Sequence, residues 1–210
     1  MRLLELFSGT GSVGEVARFL SYEVVSLDLT GAIINCDIME WDYKKAYPVG
    51  HFDIIWASPP CETFSRVRAC NIGRYGITRE SLTQDMIEKG LPILRKAEEI
   101  IEYFKPRLYF IENPQAGHMK DFIVDRPFYD VDYCKYSDWG MRKRTRIWTN
   151  KINFTPKVCK KDCGYIVDGR HLRCAVGGKK HQKGQGSGTD KRLRYRVPYL
   201  LVEELLLDIN

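Results

Sequence analysis

The chain has 210 residues, 44% of them hydrophobic, a length that suits one domain with a full core and a small appendage. It contains no apolar run of about 18 residues and opens directly on a strand-like segment, so we expect neither a membrane span nor a secretory signal, and we expect an intracellular protein. The formal net charge is only +6, but residues 142–196 hold 17 Lys or Arg against three acids, which concentrates the basic character near the C-terminus.

Strand-like and helix-like segments alternate over the first two thirds of the chain. The strand-like segments are apolar or β-branched and cover residues 2–7, 23–29, 52–58 and 107–113. Residues 81–104 carry apolar side chains, Ile87 among them, at intervals of three and four, which predicts one helix with a buried face. This alternation predicts an α/β fold with a parallel sheet, in which ligands bind beyond the carboxyl ends of the strands.

A glycine-rich loop follows the first strand. Gly9, Gly11 and Gly14 spell G-x-G-x-x-G between a strand and a helix, which lets NAD, FAD or S-adenosylmethionine approach the backbone at a helix N-terminus. Asp28 ends the second strand, where a carboxylate can accept ribose hydroxyls, and Asp37 could meet the exocyclic amine of an adenine. A plain glycine turn and solvated acids are the alternatives, but the three loops together favour an adenosine cofactor.

The third strand ends in WASPPCETFS, which sets two prolines directly before Cys61. A proline fixes its own φ and restricts the residue before it, so Pro59 and Pro60 present the thiol in one direction. This favours a nucleophile over a small buried hydrophobe. The chain holds seven cysteines, an odd number, and without a secretory signal we expect them to be reduced.

These blocks resemble, in family order, the motifs of the cytosine carbon-5 DNA methyltransferases. The resemblance runs through FSGTGSVGE (7–15), SLDL (26–29), DIIWASPPCETFS (53–65), the ENP of RLYFIENP (107–114), YSDWGMRKRTRIW (136–148) and YRVPYLLVEELL (195–206). It implies a Rossmann-like methyltransferase fold with a mainly parallel sheet, S-adenosylmethionine as cofactor, DNA as partner and a monomeric state. The compact form is similar to the methyltransferase-like proteins of phages and large viruses.

The resemblance also implies catalytic roles. Cys61 would add as a thiolate to carbon 6 of a cytosine, which lets carbon 5 take a methyl group, and Glu112 would hold the ring nitrogen beside the exocyclic amine. Arg142, Arg144 and Arg146 alternate at strand spacing and so share one face, and Arg144 is predicted to contact the base carbonyl. A structural glutamate and an exposed basic strand are the alternatives.

The same blocks predict the binding residues. The expected S-adenosylmethionine contacts are Phe7, Ser8, Gly9, Thr10, Gly11, Asp28, Leu29, Asp37, Ile38 and Pro59. The expected DNA contacts are Ser65, Arg142, Arg146, Lys179, Lys180 and Lys183.

Three parts of the chain are expected: a catalytic domain (1–150), a small basic recognition-like region (151–192) and a C-terminal helix that packs back on the catalytic domain (193–210). Within the basic region, Cys159, Cys163, His171 and Cys174 give Cys-x3-Cys-x7-His-x2-Cys. Thiolates and imidazole at such spacings could hold a structural zinc in a region too small for its own core. Scattered reduced cysteines are the alternative.

Two other functions remain open. An RNA cytosine methyltransferase could use the same site on a flipped base. A binding protein could have kept the fold and lost turnover, because Tyr195 and Arg196 stand where the resembled family has Gly-Asn. Methyltransferases of amino groups are disfavoured, since they carry an aromatic residue where this chain has Cys61.

Overall fold

The computed structural model describes residues 1–173 and 190–207. Its centre is a seven-stranded sheet of β1 (Arg2–Leu6), β2 (Glu23–Asp28), β3 (Ile34–Asn35), β4 (Ile54–Ala57), β5 (Leu108–Pro114), β6 (Phe128–Asp132) and β7 (Arg144–Thr149). The strands lie in the order β3-β2-β1-β4-β5-β7-β6. β1 to β5 pair in parallel, and β7 runs antiparallel to β5 and β6. The predicted α/β fold with a mainly parallel sheet is therefore confirmed.

Helices cover both faces of this sheet. They are α1 (Ser12–Phe19), α2 (Tyr43–Ala46), α3 (Arg79–Asp85), α4 (Leu91–Phe104), α5 (Lys191–Tyr195) and α6 (Tyr199–Leu206). Successive strand residues point to opposite faces, so Leu3 packs in the cluster that includes α1 and α6, whereas Leu4 packs in the cluster that includes α4. The C-terminal helix α6 is also linked to the segment between α1 and β2, because the Tyr22 hydroxyl donates to the carbonyl of Leu206 over 2.8 Å.

The helix predicted for residues 81–104 is present as an unbroken run of helical backbone, but it is not a regular α-helix throughout. A π-helical turn, Met86–Gly90, separates α3 from α4. Because this turn changes the spacing of side chains around the helix axis, Ile87 is 50% exposed instead of lying on the buried face. The turn also brings Gly90 against the loop that follows β4: a Cβ at Gly90 would lie 2.3 Å from Thr63 Oγ1.

Residues 152–173, which follow β7, bury little apolar surface. A two-stranded hairpin forms there from β8 (Ile166–Val167) and β9 (Arg170–His171). Val158, Val167 and Leu172 are all exposed. In residues 1–173 and 190–207, no helix is long and apolar enough to cross a membrane.

Candidate active site

The glycine-rich loop leaves the carboxyl end of β1 with Phe7 at a φ of 60° and leads into α1 through Gly11 at a φ of 70°. Gly14, in the first turn of α1, donates its N–H to Glu5 Oε2 over 3.1 Å. A Cβ on Gly14 would lie 2.6 Å from the same oxygen, so only glycine lets α1 come this close to β1. The third glycine thus serves helix–strand packing, while the first part of the loop borders the ligand space.

Asp28 fixes this loop to the end of β2. One carboxylate oxygen of Asp28 accepts the N–H of Gly9 and the other accepts the N–H of Leu29, both over 2.7 Å. Asp37 is exposed and accepts the N–H of Met39 over 2.9 Å. Since each carboxylate oxygen has a second lone pair, both acids keep capacity for a ligand hydroxyl or amine.

A cleft of about 530 Å³, a size usual for small-molecule sites, opens beyond the carboxyl ends of β1, β4 and β5. The predicted cofactor residues in its wall are Phe7, Ser8, Gly9, Thr10 and Pro59. The other predicted cofactor residues do not line it: Gly11, Asp28, Leu29, Asp37 and Ile38. Leu29 is 66% exposed, and Ile38 is buried in the core around α4. The Thr10 hydroxyl is buried in the cleft wall without a hydrogen-bond partner.

Cys61 and Glu112 lie in the wall of the same cleft. The rigid loop before Cys61 is fastened to β5, because the buried side-chain amide of Asn113 donates to the carbonyl of Pro59 over 2.9 Å. Asn113 directly follows Glu112, so one residue couples the thiol-bearing loop to the strand that carries the acid. Asn113 belongs to the ENP segment, for which the sequence predicted a role only at Glu112.

Glu112 is almost fully buried beneath two donors. The Tyr133 hydroxyl donates to Glu112 Oε1 over 2.9 Å, and Lys143 Nζ lies 3.5 Å from the same oxygen. Lys143 also donates to the carbonyl of Arg194 over 3.2 Å. An ammonium group therefore stands in the cleft beside the acid, on a residue that carried no predicted role.

Opposing effects act on the pKa of the Cys61 thiol. Burial raises the pKa of Cys61, the Lys143 ammonium lowers it, and the carboxylates of Glu112 and Glu62 raise it again. The net shift is upward, so the thiol form is favoured until something in the cleft adds positive charge. Lys143 is the cation already placed to oppose this rise.

The three arginines share one face, as their alternation predicts. On that face they form hydrogen bonds with the acids of the neighbouring strand β6. Arg144 donates from Nε and Nη2 to Asp132 over 3.0 and 2.7 Å, and Arg146 donates in the same manner to Asp130 over 2.8 and 2.9 Å. Arg142 also donates to Asp132, over 3.2 Å. None of the three lines the cleft. The structure thus does not bring Arg144 to the position expected for a contact with the base carbonyl, because a bidentate carboxylate holds it on the other face.

Lys143 is the residue of this stretch that enters the cleft. The same two-residue period that aligns the arginines puts Lys143 on the opposite face, so the sequence contained the signal that locates it. Ser65 is half-buried and lies directly before the short 3₁₀ helix Arg66–Asn71. The other predicted DNA contacts, Lys179, Lys180 and Lys183, lie outside the described residues.

The C-terminal segment closes one side of the cleft. Asp190, Arg192, Tyr195 and Val197 line it. The Tyr195 hydroxyl donates to Glu62 over 2.9 Å. The N–H of Val197 donates to the hydroxyl of Ser12, at the start of α1, over 3.1 Å. Tyr195 therefore takes part in the cleft wall at the place where the sequence departs from the family pattern.

Away from the cleft, three of the four predicted metal ligands come together. The ligand atoms of Cys159, Cys163, His171 and Cys134 all lie within 4.8 Å of one another. The fourth predicted ligand, Cys174, lies outside the described residues. Cys134 was missed because it stands far upstream of the others in sequence and has no spacing that links it to them.

Comparisons with known proteins bear on the family. No family model matches the chain. A curated relative from Frog virus 3 (isolate Goorha), named "Probable DNA (cytosine-5)-methyltransferase", is 46% identical over 215 residues, which cover 98% of this chain and 99% of the relative. The expected similarity to viral members of the family is confirmed by this relative.

A solved structure, titled "Crystal structure of putative DNA modification methyltransferase encoded within prophage Cp-another structure (E.coli)", is 16% identical, with a TM-score of 0.48. The alignment covers 76% of this chain and 52% of that chain, so this chain spans about half the length of that solved structure. The family is shown by the viral relative, which matches almost end to end at high identity. The chain belongs to the DNA (cytosine-5)-methyltransferase family.

Proposed function

We propose that the protein transfers a methyl group from S-adenosylmethionine to carbon 5 of a cytosine in DNA, with Cys61 as the nucleophile. The observation that carries this proposal is that Cys61, Glu112 and the glycine-rich loop border one cleft. Family membership supports the reaction, and the residues of the cleft support the assignment of roles.

The glycine-rich loop is suited to hold the cofactor. Thr10 offers a buried hydroxyl without a partner, and Asp28 has free lone pairs beside Gly9 for the hydroxyls of a ribose. Asp37 remains our candidate for the adenine amine. When bound, S-adenosylmethionine supplies an electrophilic methyl group; these residues bind and orient it.

The cytosine would lie between Cys61 and Glu112. The Cys61 sulfur forms a bond to carbon 6, which raises electron density at carbon 5, while Glu112 holds a proton at the ring nitrogen beside the exocyclic amine. Carbon 5 then takes the methyl group, which leaves S-adenosylhomocysteine behind. The proton of carbon 5 passes to a base, and the electrons of the broken C–H bond re-form the double bond between carbons 5 and 6 while the Cys61 sulfur leaves carbon 6 as a thiolate. Lys143 stabilises the negative charge of the Cys61 thiolate and of the Glu112 carboxylate during these steps.

The target base has to leave the duplex to reach the cleft, as in other enzymes that act on bases. Residues 142–196 carry the basic surplus and are proposed to neutralise DNA phosphates. In this proposal residues 1–150 form the catalytic domain, 151–192 contact DNA, and 193–210 complete the catalytic domain. We propose that the protein acts inside the cell as a monomer.

The test is to incubate the protein with labelled S-adenosylmethionine and, separately, duplex DNA and RNA, and to locate the label by nucleoside analysis. We expect 5-methylcytosine in DNA from the native protein and none from Cys61→Ser. The matched control is Cys70→Ser, which removes an exposed thiol. Label on adenine, or label in RNA alone, would overturn the proposal.

A second readout separates the role of Cys61 from overall folding. In the presence of S-adenosylmethionine, duplex DNA that contains 5-fluorocytosine should become crosslinked to the native protein and to Cys70→Ser, because methylated carbon 5 then carries fluorine, which cannot leave as a proton does. Cys61→Ser should bind the cofactor and form no crosslink. A crosslink that persists in Cys61→Ser would remove this residue from the reaction.

A further inference from the structure

We propose that Cys134, Cys159, Cys163 and His171 bind a structural zinc ion that fastens the start of the basic region to the sheet. The four side chains offer three sulfur ligands and one imidazole nitrogen, a set that suits a closed tetrahedral zinc site. Zinc–sulfur and zinc–nitrogen bonds of about 2.3 and 2.0 Å would place tetrahedral ligand atoms roughly 3.5 to 3.8 Å apart. The observed limit of 4.8 Å, with Cys159 Sγ 3.4 Å from His171 Nε2, is close to that arrangement.

The four ligands come from separate pieces of the chain that other contacts already hold together. Cys134 lies in the 3₁₀ turn Tyr133–Lys135 after β6, Cys159 and Cys163 flank a tight loop, and His171 ends β9. Next to these ligands, Lys135 forms an ion pair with Asp162 over 3.2 Å. Convergence from three segments is difficult to attribute to scattered thiols, because each segment has to be oriented towards one point.

The loop between Cys159 and Cys163 is shaped around a sulfur atom. Lys161 adopts a φ of 70°, and its backbone N–H donates to Cys159 Sγ over 3.3 Å. The N–H of Cys159 in turn donates to Asp132 over 2.8 Å. Backbone donors to a ligand sulfur and a fixed ligand backbone are the outer contacts that orient the ligands of a metal.

Residues 152–173 need an interaction of this kind to fix them to the sheet, because they have little apolar core of their own. Val158, Val167 and Leu172 are exposed, and Cys159 is the apolar side chain that is buried between residues 152 and 173. A bound ion would supply the stabilisation that hydrophobic burial supplies elsewhere in the chain. Asp132 links this site to the arginine face, since it accepts from both Cys159 and Arg144.

The test measures metal content in protein purified without chelators or metal-affinity columns. We expect one zinc ion per protein molecule, and we expect that zinc to be lost in Cys134→Ser. Cys70→Ser, which removes an exposed cysteine elsewhere, should keep the metal. The variant Cys174→Ser decides between the two possible ligand sets: it should keep its zinc, whereas metal loss in Cys174→Ser with retention in Cys134→Ser would overturn the proposed set.

A spectroscopic readout covers the case in which a variant fails to fold. Cobalt substituted into the native protein should give the visible bands of a tetrahedral site and a sulfur-to-cobalt charge-transfer band. Chelation should then increase hydrogen exchange in residues 159–171 while binding of S-adenosylmethionine stays unchanged. Absence of zinc and of a tetrahedral cobalt spectrum, or a disulfide between any two of the three cysteines in freshly purified native protein, would overturn the proposal.

Discussion

The side-chain amide of Asn113 donates to the carbonyl oxygen of Pro59 over 2.9 Å, which links the strand that carries Glu112 to the loop that carries Cys61. Asn113→Ala should therefore lower kcat by about tenfold to a hundredfold through misplacement of the thiol. It should also reduce the free energy of unfolding by roughly 1 to 3 kcal/mol, because a buried carbonyl loses its partner. Steady-state kinetics and urea unfolding measure the two effects.

A control for this prediction lies near the other end of the same strand. Asn150 donates to the carbonyl of Arg107 over 2.9 Å and accepts the N–H of Tyr109, so Asn150→Ala also breaks side-chain bonds to the backbone near β5. It should cost stability without lowering kcat in the remaining folded protein. Equal loss of kcat in both variants would show that Asn113 acts only through general stability.

The pKa of Cys61 should respond in opposite directions to two neighbours. Lys143→Met removes the cation that lowers this pKa, so iodoacetamide should alkylate Cys61 more slowly near neutral pH. Glu112→Gln removes a carboxylate that raises it and should make alkylation faster. Lys143→Arg keeps the charge and should resemble the native protein. Alkylation rates measured across pH test the assignment, and a shift in the same direction for both neutral variants would contradict it.

Stability should depend on pH through Glu5, which is 3% exposed. Burial raises the pKa of Glu5 to about 7, against the effects of the Gly14 and Val13 N–H groups and of Arg18. In the unfolded chain the value is about 4.3, so the folded state binds the proton more tightly. Stability is therefore highest at low pH with respect to this group, falls as the pH rises from about 4.3 to 7, and levels off above that range.

Glu5→Gln removes this penalty. Relative to the native protein, Glu5→Gln should be more stable at pH 8 than at pH 5: the difference in the free energy of unfolding should be larger at pH 8 by up to roughly 3 kcal/mol. Any constant cost of the buried amide cancels in this comparison between two pH values. Glu23→Gln, at an exposed position of β2, should show no such difference. Urea unfolding at both pH values is the measurement, and equal effects of Glu5→Gln at pH 5 and pH 8 would contradict it.

Gly14→Ala should destabilise the protein by roughly 1 to 3 kcal/mol, as expected when an atom is added to a packed core. The new methyl group would lie 2.6 Å from Glu5 Oε2 and 3.2 Å from Val24 Cγ1, so α1 would have to move away from the sheet. That movement would carry the glycine-rich loop with it and weaken S-adenosylmethionine binding. Calorimetry should detect the loss, whereas Glu15→Ala, at the exposed neighbouring position, should bind normally.

Local patterns predicted the first four long strands because each is a short apolar or β-branched run, and the structure confirms them within about two residues at either end. The arginine face depended on tertiary pairing instead. Its orientation follows from β6, whose Asp130 and Asp132 face the arginines, and residues 128–132 were not predicted as a strand. Without that partner strand, the sequence could align the three arginines but could not show which way their face turns.

Long-range convergence was equally hidden. Cys134 joins ligands that follow it only after a whole strand has passed, and no local spacing encodes such a contact. The π turn Met86–Gly90 also escaped prediction, because an irregular turn leaves the apolar spacing on either side of it nearly helical. Lys143 is different: the alternation of its segment already pointed it away from the arginines.

The contact between Val197 and Ser12 has a consequence for the order in which the protein is made. Ser12 is synthesised early, whereas Val197 and the α6 residues Leu201 and Leu205, which share a core cluster with β1 and α1, are synthesised late. A ribosome adds about 5 to 20 residues per second, so the first helix waits roughly 10 to 40 seconds for its apolar partner. Until Val197 and α6 have been added, the nascent chain exposes that half of its core and has an unfinished cleft, so this interval carries the greatest aggregation risk and precedes any activity.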